Sequence, residues 1–302
     1  MKKPLITLTL LLFGFNTFSQ KLKNDLKLQK LLEKETSGFG GQIGVYVENL
    51  KTGQFAALNA DTIFPTASMI KIPIMIGTFS HILNGKLKYE EVLTYKDSLK
   101  YDDGIVGSFR DSTKISVSEL IYLMESLSDN TASLWLQGLV KGERINYLMD
   151  SLGFKNTRVN SRTAGRMSFQ KLYGWGQTTP KEMTMLMKMI RKGEIFSKDA
   201  SLRMYKTLGN QYWDGEGLSQ IPENIKTAYK SGAVDRSKSE VMLVHAPHGD
   251  YVFCLITKNQ TDIQWNKNNE GYRAARKISS ALWNYFEPKS KWKLPEGYDR
   301  WL

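Results

Sequence analysis

The segment Phe64-Pro65-Thr66-Ala67-Ser68-Met69-Ile70-Lys71-Ile72-Pro73 places a serine and a lysine three residues apart at the start of an apolar run. Pro65 suits a position at or just before a helix start. The run from Ile70 to Phe79 has no polar face, so a buried helix is predicted there. Side chains at i and i+3 share one side of a helix, so Ser68 and Lys71 would point into one site. A serine hydroxyl becomes a useful nucleophile when a base takes its proton, and a desolvated lysine can be that base. Near the helix N-terminus, free backbone N–H groups favour developing negative charge. Alone, an S-x-x-K tetrad is a weak signal, because serine and lysine are common residues.

Two further short motifs strengthen it. Ser128-Asp129-Asn130 falls at the junction of two predicted helices, where side chains can face a cleft. Lys230-Ser231-Gly232 falls on a predicted strand near the end of the chain, where glycine lets a substrate approach the backbone closely. Taken singly, Asp129 reads as an N-cap and Gly232 as a strand-edge turn. Three motifs in this order, each at an element junction, form one constellation.

The elements that must position them can be read from periodicity. Leu22 to Glu35 has the pattern of an amphipathic helix, ended by Gly38 to Gly41. Gln42 to Asn49 alternates as a strand, and Leu50-Lys51-Thr52-Gly53 turns it into Phe55 to Leu58. Glu90 to Ser112 reads as loops and short strands. Helices are predicted over Val117–Leu127, Asn130–Val140, Gly142–Leu152, Lys181–Arg191, Ser197–Leu208 and Gly271–Phe286. Strands are predicted over Lys226–Gly232, Glu240–His245 and Tyr251–Thr257. Residues 153–178 read as one long loop. Strands at both ends with helices between them imply an α/β chain of α+β type. Its antiparallel sheet is built from the N- and C-terminal parts (about 20–64 and 218–302), with an all-helical lobe (about 65–217) inserted.

At 302 residues the chain can bury a large core. Its net charge of +12 comes from scattered basic residues such as Lys21, Lys96, Lys155 and Lys258, not from a stripe, and no nucleic-acid motif is present. The first 19 residues read as a signal peptide, with Lys2 and Lys3 before an apolar core from Leu5 to Phe15 and small residues at Thr17-Phe18-Ser19. Export to the periplasm or the medium is the expectation. No later stretch is long and apolar enough to span a bilayer. Cys254 is the single cysteine, so the chain has no internal disulfide, and it is expected in a strand core. Met183, Met185, Met187 and Met189 read as core packing, and His81, His245 and His248 are too separated to propose a metal site. No cofactor is called for.

On Ser68-x-x-Lys71, Ser128-Asp129-Asn130-Thr131-Ala132, Thr178-Thr179-Pro180 and Lys230-Ser231-Gly232-Ala233, the chain resembles the penicillin-recognising serine hydrolases. The resemblance is closest to class A β-lactamases, and it covers nearly all of residues 20–302. It implies that Ser68 attacks the carbonyl of a β-lactam or a cell-wall peptide. Lys71 takes or relays its proton, and Ser128 passes a proton to the leaving nitrogen. It further implies that Asn130 holds the substrate side chain and the lysine, that Lys230 and Ser231 bind a substrate carboxylate, and that Gly232 leaves room beside them. The backbone N–H groups of Ser68 and Ala233 would form the oxyanion hole. Lys71 and Lys230, if close, would each favour the neutral form of the other.

One departure from that family is plain in the sequence. Class A enzymes carry a loop glutamate that activates the deacylating water. Between Asp150 and Glu182 this chain has no acidic residue, and by spacing Thr163 or Ala164 stands in the glutamate's place. The resemblance therefore implies intact acylation and impaired deacylation. A D-alanyl peptidase or transpeptidase, or a penicillin-binding protein that acylates once, remains an alternative.

Overall fold

A computed structural model describes residues 22–295; the segment read as a signal peptide lies outside them. The elements in chain order are β1 (Lys23–Asn24), α1 (Leu26–Thr36), β2 (Gln42–Asn49), β3 (Gln54–Leu58) and β4 (Phe64–Pro65), then α2 (Lys71–Leu83), β5 (Val92–Thr94) and β6 (Lys114–Ser116). The helices α3 (Val117–Ser126), α4 (Asn130–Val140) and α5 (Gly142–Ser151) follow, then β7 (Arg158–Val159), α6 (Met167–Tyr173), β8 (Gly176–Thr178), α7 (Pro180–Lys192) and α8 (Lys198–Leu208). The chain closes with β9 (Thr227–Val234), β10 (Ser237–Val244), β11 (Tyr251–Lys258) and α9 (Glu270–Phe286).

The main sheet has the order β1-β3-β2-β11-β10-β9, antiparallel except where β1 joins β3. Its strands come from both ends of the chain, as the pattern of strands and helices predicts. Both faces are covered at the centre of the sheet, which is why β11 and the second half of β10 are apolar at nearly every position. Val241, Leu243, Val252, Cys254 and Ile256 pack with α2, α7 and α8. Their neighbours Met242, Val244, Tyr251, Phe253 and Leu255 pack with α1 and α9. Each strand thus contributes alternate residues to two cores. Cys254 is buried in the first of them, in a strand as expected.

The register of β9 on β10 sets the orientation of the third motif. Lys230 lies opposite Val241 and Gly232 opposite Ser239, on the face toward the helical layer. Ser231 lies opposite Glu240, on the α9 face, because successive side chains alternate. β9 is an edge strand, so its outer side is open to a cleft.

Two features differ from the sequence reading. Residues 153–178 are not one loop: α6 forms in the middle, and β8 pairs with both β4 and β7 in a second small sheet. None of the seven α6 residues is buried, so no apolar periodicity marks it. Ser68 also precedes the α-helix, in a 3-10 turn over Ala67–Ile70 that leads into α2. Side chains at i and i+3 eclipse in a 3-10 turn, so Ser68 and Lys71 still point the same way. Among the described residues, no helix is long and apolar enough to cross a membrane.

Candidate active site

The three motifs converge on the end of α2. Lys71 is fully buried as its first residue, with Nζ surrounded by four oxygens. These are Ser128 O at 2.6 Å, Asn130 Oδ1 at 2.7 Å, Ser68 Oγ at 3.0 Å and Ser128 Oγ at 3.0 Å. An ammonium has three hydrogens and cannot serve four acceptors fully. The two shortest contacts go to a carbonyl and an amide oxygen, which only accept. The two longer ones go to hydroxyls, which can donate. Either protonation state leaves one of the four contacts partly served, and in the neutral form the lone pair is free to face one of the two hydroxyls.

Electrostatics favour that form. Burial pushes the Lys71 ammonium well below its ordinary range, and Lys230 pushes further, against Glu125, Asp129 and Asp102. A cation at the first residue of α2 also opposes the helix dipole. Lys230, 1 % exposed, donates to Ser128 Oγ at 3.0 Å and to Ser231 O at 3.0 Å. Ser128 Oγ thus sits between two amines. Burial lowers Lys230 as well, while Glu125 and then Glu216 raise it. The mutual effect expected of the lysines is seen on one side only: Lys230 lowers Lys71, whereas the charges that act on Lys230 are Glu125 and Glu216.

Local structure explains how the second motif reaches the first. Asp129 caps α4 through Ala132 N and also accepts from Val106 N, which ties the loop to residues 104–108. Ser128 is held at φ 59 and Ala67 at φ 45, left-handed conformations rare outside glycine. Such backbone costs about 1–3 kcal/mol at each residue and collects at functional sites. Asn130 Nδ2 donates to Asp102 Oδ2 at 2.6 Å, which turns its oxygen toward Lys71.

Gly232 fits the close approach predicted for it. A β-carbon there would stand 2.5 Å from Ser68 N and 2.8 Å from Thr66 O, so only glycine lets β9 lie against the Ser68 turn. Ser239 Oγ bonds Thr66 O and Gly232 O and fastens the two segments together. Ala233, one residue on, lines the cleft with Ser68.

That cleft is about 550 Å³ and is also lined by Asn130, Tyr101, Leu172, Trp175, Val234, Arg236 and Lys258. Its size is that of a small-molecule site. Lys71, Ser128 and Lys230 lie behind its wall, and Ser231 is half-buried at the strand edge. A larger cleft of about 870 Å³, between α8 and residues 217–227, contains none of the motif residues.

The loop departure is structural as well as chemical. Thr163 Oγ1 donates to Ser161 O and abuts Gly142, and Glu143 accepts from Ala164 N. Both positions are held by Ser161 and by the start of α5, and neither lines the cleft that contains Ser68. The cleft wall is made instead by Leu172 to Trp175, after α6. Arg166 holds the loop by donating to Asn160 Oδ1 and Gln177 Oε1, neutral groups where a carboxylate could have stood. No Asp or Glu lines the cleft among the described residues.

Glu182, on the first turn of α7, anchors the loop's start. It accepts from the backbone N–H groups of Lys155, Asn156 and Thr157 and from Thr157 Oγ1. Glu182→Ala would leave those donors unmatched and is expected to cost about 2–3 kcal/mol. The measurement is the urea midpoint at constant slope; a loss under about 0.5 kcal/mol would show that water satisfies the donors.

Sequence reasoning did not single out Glu125, Glu182, Tyr101, Trp175 or Arg236. Asp102 was visible only as one acid among several, and its approach to Asn130 has no local signal.

The six-stranded sheet with its helical layer and the serine–lysine site define the class A β-lactamase-like fold. Residues 25–286 match the Beta-lactamase2 family, the beta-lactamase enzyme family, and the chain belongs to it. It is 22% identical over 297 residues to beta-lactamase VEB-1 of Pseudomonas aeruginosa, covering 94% of this chain and 98% of that one. The solved structure of PBP-A has a TM-score of 0.78 and 23% identity, covering 88% of this chain and 98% of PBP-A. A leucine-to-glutamate variant of PBP-A, solved as an acyl-enzyme complex with penicillin G, matches equally well. A class A beta-lactamase from Mycobacterium abscessus has a TM-score of 0.75 at 19% identity, covering 86% of this chain and 99% of that one.

Proposed function

We propose that this protein is an exported serine acyl-transfer enzyme that forms an acyl-enzyme on Ser68 with β-lactams or related cell-wall amides and releases it slowly. The observation that carries the reading is the Ser68 Oγ contact to the buried Lys71 amine at 3.0 Å. Ser68 Oγ forms a bond to the substrate carbonyl carbon as its proton passes to Lys71. The C–N bond then breaks, Ser128 gives its proton to the departing nitrogen, and Lys71 reprotonates Ser128. Lys230 keeps positive charge beside Ser128 throughout. The Ser68 and Ala233 N–H groups hold the carbonyl oxygen, and such donors are typically worth about 2.7–4 kcal/mol each in the transition state.

Asn130 positions the substrate and Lys71 together, and a substrate carboxylate lies along β9 near Ser231 and Gly232. Lys230 acts on that carboxylate through its field, since its Nζ is turned to Ser128. Slow release follows from the lining of the cleft, which has hydroxyls, amides and cations but no carboxylate to activate water. Asp103 is paired with Lys100, Asp102 with Asn130 and Glu143 with Ala164 N, so those acids are committed elsewhere. The same feature favours the single-acylation alternative over efficient β-lactam hydrolysis. Peptide mapping after exposure to penicillin G tests the assignment. The adduct should lie on the peptide containing Ser68; an adduct elsewhere, or none, contradicts it.

A further inference from the structure

Among the described residues, the charged side chains that line the Ser68 cleft are Arg236 and Lys258, and both are basic. Arg236 is exposed in the two-residue turn between β9 and β10, and its guanidinium has no partner among the described residues. Its neighbour Asp235 does not line the cleft; it accepts from Trp265 Nε1 at 2.8 Å and acts on Lys238. Lys258, the last residue of β11, donates to Ile63 O at 2.8 Å and lies 4.7 Å from the centre of the Phe64 ring. That carbonyl occupies one ammonium hydrogen and leaves the rest for a ligand. Burial alone lowers the Lys258 pKa, with no acid raising it.

Ser237, the first residue of β10, stands in the same wall. It is 2 % exposed, and its Oγ has no hydrogen-bond partner among the described residues. A buried hydroxyl left unpaired is unfavourable, and a ligand oxygen beside it would satisfy it. Gln260 N donates to Arg236 O at 3.2 Å and Lys238 N to Thr257 Oγ1 at 2.8 Å, which fastens the turn to the end of β11 where Lys258 sits. Two cations without an acid and one unmatched hydroxyl thus share a wall.

The strand separates this wall from the carboxylate placed near Ser231 and Gly232. A strand rises roughly 3.3 Å per residue, so Val234 lies roughly 10 Å beyond Ser231, and the Arg236 turn follows it. Lys230 contacts Ser128, which serves the leaving nitrogen, and Ala233 N–H holds the carbonyl oxygen. The end of β9 beyond Ala233 therefore faces the acyl side of the substrate.

We infer that Arg236, Ser237 and Lys258 form a second anion subsite, which selects β-lactams or cell-wall amides that carry a carboxylate on the acyl side chain. This rests on the acyl-enzyme reading above and names a substrate class for it. The arginine fork can take a carboxylate through two parallel bonds, with the ammonium and the hydroxyl as further donors.

The test compares second-order acylation rates within two pairs of penicillins, benzyl against α-carboxybenzyl and hexanoyl against adipoyl. The members of each pair differ by one side-chain carboxylate, close to the amide in the first pair and distant in the second. In the wild type at least one anionic member should react about tenfold faster than its neutral twin at low ionic strength, and the ratio should shrink in high salt. Arg236→Gln and Lys258→Gln should each lower that ratio several-fold, and Arg236→Glu should bring it below one. A cleft merely distorted by substitution slows both members together and leaves the ratio unchanged. An unmoved ratio in Arg236→Gln therefore overturns the inference, as does a wild-type ratio of one or less in both pairs. Kd values for the same pairs on Ser68→Ala read the preference without acylation. If no penicillin acylates the wild type, the acylation reading falls, and the Kd ratio alone decides the subsite: equal Kd values in both pairs overturn it.

Discussion

Ser68→Ala is expected to abolish covalent labelling by a fluorescent penicillin and to leave the thermal melt nearly unchanged. The hydroxyl accounts for one of four oxygens around Lys71, and Ser128 and Asn130 retain the other three. Alanine fits the 3-10 turn, whose backbone bonds do not involve the Ser68 side chain. The fold therefore loses little, whereas the chemistry loses the only atom that can bond the acyl carbon. Thr66 is two residues away and Ser128 shares Lys71 Nζ with Ser68, but Thr66 is fully buried and neither hydroxyl lines the cleft. Labelling that survives in the alanine variant would move the nucleophile to another residue.

Lys71→Arg has the second-largest expected effect. Arginine keeps a positive charge, but its guanidinium does not deprotonate in proteins. It offers no lone pair to the Ser68 hydroxyl, and its planar fork cannot reproduce the four contacts made at a single nitrogen. Acylation should fall by about 10²–10⁴-fold, the usual range for losing an acid–base group. The measurement is the second-order rate of acylation, with a thermal melt to separate misfolding from lost chemistry. An arginine variant that acylates at the wild-type rate would show that charge alone was needed. The pH dependence should have a matching sign. Burial and Lys230 lower the Lys71 pKa, so acylation should rise as pH increases through that lowered value, below the ordinary lysine range. A profile that rises only in the ordinary lysine range would contradict a lowered Lys71.

Much of the site was legible because its chemistry depends on short, fixed spacings. Ser68 and Lys71 are three residues apart, and the same i, i+3 relation holds in the 3-10 turn that replaces the predicted helix. The helix junction at Ser128 and the strand at Lys230 follow from periodicity and capping. The sheet from both termini was also readable, because strand-like patterns bounded by turn residues fall at both ends of the chain with helical patterns between them.

What was not legible depends on distance through space. Glu125 sits where a helix of mixed composition could present a solvated face, and nothing local to α3 reveals that it is fully buried. α6 was invisible because it has no buried face, and β4, β7 and β8 are too short to show alternation. Thr163 and Ala164, placed over Ser68 by spacing, do not line its cleft. The intervening chain forms α6 and a small sheet, so counting residues along it does not measure position over Ser68.

The most direct measurement is intact mass spectrometry over time after adding excess penicillin G to the protein. The expected result is a single penicilloyl adduct that accumulates to near one equivalent and persists after excess penicillin is removed. Losing a general base typically costs about 10²–10⁴ in rate, so release should be slow even when acylation is fast. Many turnovers of penicillin with no adduct at any time would contradict the account, since deacylation would then outpace acylation in a cleft that offers no carboxylate to drive it.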